Sequence, residues 1–171
     1  TVEKIFAAGV NVISTGDHFY RNKEYVGVLK DPRVLRPANF PPLAQGHGWG
    51  LYQARGGTPV AVLNLMGRIF MEPHECPFAC ADAALKDIGE QAKVIIVDMH
   101  AETTSEKVAL GWYLDGRVSA VLGTHTHIQT ADERILPNGS AYITDVGMTG
   151  PYDSVIGREK EAVLKKLRTG V

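Results

Sequence analysis

The sequence is poor in the features that mark secreted, membrane-spanning or nucleic-acid-binding chains. Its 171 residues include two cysteines, Cys76 and Cys80, too few for a disulfide framework. The expected setting is therefore reducing and cytoplasmic. No apolar run approaches the roughly 18–20 residues of a membrane span, and no secretory signal pattern opens the chain. Eighteen basic residues against nineteen acidic ones leave a net charge of −1. That balance offers neither a basic footprint for nucleic acid nor a polybasic membrane patch. Homo-oligomers remain open. What is present is a 44% share of hydrophobic residues beside 22% charged ones, enough for one packed core and too few charges for disorder. A single domain over 1–171 is the expectation.

The opening residues, Thr1 to Gly9, read as the last turns of a helix closed by Gly9, and Arg158 to Leu167 reads as another helix. The expectation is a piece of a longer protein, lacking its front. Between these ends, Val10–Thr15 is a strand candidate, and 22–30 a helix stopped by Asp31-Pro32. Two β-rich runs, Trp49–Ala54 and Pro59–Met66, flank Gly56-Gly57 and predict a hairpin. Apolar Ala81, Ala84, Leu85 and Ile88 recur with helical spacing and predict an amphipathic helix over Phe78–Gln91.

Lys93–Asp98 and Val118–Leu122 are short, nearly continuous apolar runs of the kind buried on both faces of a parallel sheet. Between them, Thr103-Thr104-Ser105-Glu106 carries the capping-box pattern and opens a helix that runs to about Asp115. Glu133–Leu136 and Ser140–Thr144 flank Asn138-Gly139, a second hairpin signal. Buried strands alternating with helices predict a layered α/β fold.

Three polar clusters follow three predicted strands: Asp17-His18, Asp98 with His100, and His125-Thr126-His127. Open α/β sheets place ligand sites at the C-terminal edge of their strands, where distant segments meet. In an extended segment, residues two apart face one side, so His125 and His127 can reach one metal or an adjacent pair. Taken alone, His-x-His also suits two surface or core histidines. His100 alone suits a hydrogen-bonded core histidine. Asp98 can orient a ligand, and Glu102 can support one or favour a helix N-terminus. Arg68 suits an anionic substrate as well as an ion pair. His74-Glu75-Cys76 and Cys80 lack a second pair at zinc spacing and read as structural.

The joint order is more specific. Gly-Asp-His after one strand, a lone His after the next long one, and Gly-Thr-His-Thr-His after the following one resemble the pattern of calcineurin-like metallophosphoesterases. LRPANFPP, VDMHAETTSEKVALGWYLDGRVSAVLGTHTHIQTADERILP and AYITDVGMTGPYDSVIG are similar to the YmdB-like branch of that superfamily. The resemblance runs over nearly the whole chain. It implies a calcineurin-like α/β sandwich and a phosphodiesterase of cyclic nucleotides, 2′,3′-cyclic ones foremost. It implies two divalent metal ions, iron or manganese, with zinc also compatible. Position by position, Asp17, His100 and His125 match ligands of the second metal, His127 matches a ligand of the first, and His18 matches the catalytic histidine.

Two departures accompany the match. The family's usual Asn is Asp17 here, whose added negative charge tightens metal binding and weakens Lewis acidity. The family's early strands, which supply the other first-metal ligands and the bridging carboxylate, have no counterpart in this sequence. A non-catalytic metal-binding or regulatory protein on the same fold is the alternative reading, and a mononuclear hydrolase on Asp17, His100 and His125 a third.

Overall fold

The computed structural model describes residues 2–21, 23–72 and 74–171 and, for residues 23–26, the backbone alone. Helix α1 (Val2–Ala7) ends as the sequence predicts, with Gly9 at φ 97°. Thr1, part of that reading, and Asn22, at the start of the helix expected over 22–30, lie outside the described residues. The rest of that helix, Lys23–Lys30, is a 3₁₀ helix.

The main sheet has six strands. They are β3 (Trp49–Gln53), β4 (Pro59–Met66), β5 (Val94–His100), β6 (Ala120–Thr124), β7 (Arg134–Ile135) and β8 (Ala141–Ile143). Their spatial order is β3-β4-β5-β6-β8-β7. The four central strands run parallel, and the two hairpins supply the antiparallel edges. Both turn signals form hairpins because Gly56, Gly57 and Gly139 adopt the positive φ those turns need. A second, two-stranded parallel sheet joins β1 (Ile13–Ser14) to β2 (Val34–Leu35).

Side chains of a strand alternate between faces, and that period builds the layers. Ala61, Leu63 and Leu65 of β4, with Ile95, Val97 and Met99 of β5, point to one face. There they pack against Ala81, Ala84 and Ile88 of α2 (Pro77–Ile88) and Leu110 and Leu114 of α3 (Thr104–Leu114). A fully buried Leu of this kind stabilises by roughly 1.5–3 kcal/mol. The even-numbered residues point to the opposite face. There Asn64, fully buried, donates to the carbonyls of Thr15 (2.8 Å) and Leu35 (3.2 Å), and Ser14 Oγ donates to Asp98. These polar ties fasten the small sheet to the face that the helices leave free. The result is a mixed α/β architecture with a central sheet between layers. Among the described residues no helix is long and apolar enough to cross a membrane. Helix α4 (Lys160–Thr169) closes the chain and buries no residue.

The strand expected over Val10–Thr15 shrinks to Ile13–Ser14, since β2 offers it two paired residues and leaves Val10 42% exposed. The capping box of α3 also departs from expectation. Thr103 is the N-cap, but its hydroxyl donates to Glu106 at 2.9 Å. Glu106 accepts instead from the backbone N–H groups of Arg68 (2.8 Å) and Ile69 (3.2 Å). The carboxylate thus satisfies a loop after β4 rather than the start of its own helix.

Candidate metal centre

Register brings the site together. Met66, His100 and Thr124 are paired across β4, β5 and β6, so three strand tips end level. His100 is even-numbered and points toward the small sheet, where Gly16 and Asp17 follow β1. Its Nε2 lies 3.1 Å from Asp17 Oδ1 and 3.1 Å from His125 Nδ1, and the last pair, His125 Nδ1 and Asp17 Oδ1, is 3.6 Å apart. The His100 and His125 rings meet edge to face with centroids 4.8 Å apart. Among the described residues, this is the grouping close enough to hold an ion.

Hydrogen bonds behind each imidazole fix its proton. Thr124 Oγ1 donates to Asp98 Oδ1 at 2.7 Å, so it accepts from His100 Nδ1 at 3.1 Å. His125 Nε2 donates to Glu102 at 2.9 Å. Both tautomers therefore turn a lone pair toward Asp17. Burial lowers the His100 pKa, which favours the neutral form a metal needs. Burial opposes ionisation of Asp17, but its close approach to the His100 and His18 imidazoles holds the carboxyl below the usual range. Burial raises the Asp98 carboxyl.

Three electron-rich atoms thus face one another with no hydrogen between the two ring nitrogens. A cation resolves that repulsion. Ligand bonds of about 2.0–2.2 Å place neighbouring donor atoms roughly 2.8–3.6 Å apart in octahedral or tetrahedral geometry, and the three separations of 3.1, 3.1 and 3.6 Å fall within that span. Two nitrogens and one oxygen suit zinc, iron or manganese.

His18 stands beside this cluster. Its Nδ1 is 2.9 Å from Asp17 Oδ1, while the side chain is 68% exposed. Arg21 approaches the other Asp17 oxygen at 3.6 Å. His127 does not join the group. His125 and His127 have φ of 103° and 68°, so the segment is not extended, and His127 is exposed. The alternation expected of His-x-His fails because the strand ends at Thr124. Arg68 is exposed, two residues past the β4 tip, on the same sheet edge. His74 packs on Phe40 with ring centroids 4.3 Å apart, and Cys76 and Cys80 are free thiols.

Two supports act through contacts that no local pattern reveals. Asp145 is fully buried and accepts from Lys107 Nζ (2.7 Å), Thr126 N (3.0 Å), Thr126 Oγ1 (2.7 Å) and Gly147 N (2.8 Å). It clamps the loop that carries His125. Gly16 is the other. A Cβ built there would sit 2.3 Å from His100 Nε2, so only glycine lets the loop approach the ring. Gly16→Ala is expected to push His100 off Asp17 and weaken metal binding about 10–100-fold, as loss of a ligand support does. Metal titration of the variant checks this, and unchanged affinity would refute the tight approach. Replacing both cysteines with serine is expected to leave metal content unchanged, and atomic-emission analysis of the purified double variant is the check.

The YmdB-like protein family model matches residues 1–171. This chain belongs to that family. It is 48% identical over 174 residues to the 2′,3′-cyclic-nucleotide 2′-phosphodiesterase of Bacillus subtilis (strain 168), covering 99% of this chain and 66% of the relative. A crystal structure of a hypothetical protein from Thermus thermophilus superposes with TM-score 0.93 at 46% identity, over 99% of this chain and 66% of that one. A Mycoplasma pneumoniae phosphatase structure superposes with TM-score 0.89 at 36% identity, over 99% and 62% respectively. The chain thus spans slightly under two thirds of these YmdB-like relatives.

Proposed function

We propose that this YmdB-like chain carries the second-metal half of a phosphodiesterase site, and that the whole protein hydrolyses cyclic nucleotides, 2′,3′-cyclic ones foremost. The observation that carries the reading is the Asp17–His100–His125 triangle, with each imidazole's lone pair turned inward. The 48% identity to the Bacillus phosphodiesterase supports the substrate class.

In this reading Asp17, His100 and His125 hold one divalent ion, and His127 contributes to a second whose other ligands are not in this sequence. Iron or manganese is proposed, and the two-nitrogen, one-oxygen set also suits zinc. Bound ions supply Lewis acidity toward phosphate oxygens and lower the pKa of water to about 7. Thr124 and Glu102 keep His100 and His125 in the ligand tautomer. Asp17 adds a full negative charge where the resemblance has a neutral amide. His18 hydrogen-bonds Asp17 through Nδ1 and leaves Nε2 toward solvent. In its protonated form it would donate that Nε2 proton to the ribose oxygen as the P–O bond breaks, while the attacking water adds its hydroxyl to phosphorus and releases its other proton to solvent, from which His18 is reprotonated. Arg68 is proposed to meet an anionic part of the substrate at the same edge. The site is proposed to work in the cytoplasm on a small molecule.

A non-catalytic or single-metal protein on this fold is the second reading, and the separation of His127 from the cluster favours it. One experiment divides the two. Metal content and turnover of 2′,3′-cyclic AMP are measured on this chain and on a version extended by the N-terminal segment of the Bacillus relative. Phosphodiesterase activity that appears with a second bound ion supports the proposal. One ion and no turnover in the extended protein supports the second reading.

A further inference from the structure

Arg36, just after β2, is 8% exposed. Its Nη1 donates to the carbonyls of Pro37 (2.7 Å) and Ala38 (3.1 Å), and its Nε is buried without a partner. Among the described residues no carboxylate lies within ion-pair distance of it. Carbonyl dipoles offset part of the charge. A buried cation without a counter-charge is nevertheless costly and calls for an explanation.

A cavity of about 280 Å³ adjoins it, between α2 and the segment leading into β3. Arg36, Gly46, His47, Gly48, Cys80 and Asp87 are among its lining residues. None of these belongs to the metal cluster. A space of this size has ample room for a small oxyanion. Asp87 is the one carboxylate on the wall, and it is exposed and makes no ion pair with Arg36. It therefore keeps its hydration and leaves the buried guanidinium uncompensated. Guanidinium donors match phosphate and carboxylate oxygens in fork geometry.

We propose that the Arg36 cavity binds a small oxyanion of the phosphate type, separately from the metal centre. Cys80 lines the same cavity and reports on it. The test uses chelator-stripped protein carrying Cys76→Ser, so that Cys80 is its single thiol and no metal competes for the probe. Inorganic phosphate is titrated against the rate of Cys80 alkylation, with chloride at matched ionic strength as control. Saturable slowing is expected, about tenfold at ten times the dissociation constant by mass action. The His47 imidazole resonance is expected to shift with the same midpoint. Arg36→Met is expected to abolish both effects. No slowing by phosphate, or slowing without a His47 shift, overturns the proposal even if Arg36→Met fails to fold. Equal slowing in a folded Arg36→Met protein overturns it as well.

Discussion

Replacing His125 with alanine is expected to strip the metal centre, while replacing His18 is expected to leave it loaded. The difference follows from geometry. His125 Nδ1 faces His100 Nε2 and Asp17 Oδ1 inside the triangle. His18 reaches Asp17 from outside, with 68% of its side chain exposed. Loss of His125 removes one of three donor atoms and lowers affinity beyond the roughly 10–100-fold typical of losing a support. Added metal should restore it in part. In an N-terminally extended, active protein, His18→Ala should keep its metal and lose about 10²–10⁴-fold in kcat, the usual worth of general acid–base help. Because that help acts in the transition state, kcat and kcat/KM should fall together. Added metal should not rescue it. Equal metal loss in both variants would make His18 a ligand, and full activity of His18→Ala would make it a spectator.

The second large effect is expected at Asp145. Its side chain and that of Lys107 are 1% and 0% exposed. Asp145→Ala would leave the Lys107 ammonium buried without its partner, a change that costs about 3–5 kcal/mol. For a chain of this size that corresponds to roughly 6–20 °C in Tm. It would also free Thr126, and with it the loop that holds His125, so metal affinity should fall together with stability. Lys107→Met combined with Asp145→Asn should recover part of the melting temperature, since no unpaired charge remains. Acid should act in the same direction. Burial opposes ionisation of Asp145, yet the Lys107, Thr126 and Gly147 hydrogen bonds lower its pKa below the usual value. A depressed carboxyl stabilises fully above the unfolded value of about 3.9 and loses that contribution as pH falls toward the folded value. The wild-type protein should therefore lose stability below about pH 4 more steeply than the Lys107→Met, Asp145→Asn protein. A melting profile that falls equally in both would remove Asp145 from the account.

Much of this was written in the sequence at the level of strands. The apolar runs through Ile95–Val97 and Val121–Leu122 announce strands buried in a sheet. Asp17, His100 and His125 could be located because each follows such a run. The register that levels Met66, His100 and Thr124 is a tertiary fact, fixed by the pairing of whole strands. Lys107 shows why local pattern was insufficient. A lysine on a helix ordinarily faces water, and nothing nearby reveals a carboxylate 38 residues away in sequence. Glu106 departs from its local pattern for a similar reason. The capping box is a local rule, and the unpaired N–H groups of Arg68 and Ile69 outcompeted it. His127 lies outside the triangle because the positive φ of His125 and His127 bends a segment that the His-x-His alternation treats as extended. Gly16 belongs to the Gly-Asp-His pattern, but the reason it must be glycine is the His100 ring packed against it.

Anomalous diffraction from crystals soaked in manganese decides whether Asp17, His100 and His125 form one metal site. A single strong peak is expected, bounded by Asp17 Oδ1, His100 Nε2 and His125 Nδ1, at about 2.0–2.2 Å from each. A saturating manganese site elsewhere, with this triangle empty and its imidazoles facing each other unchanged, would contradict it.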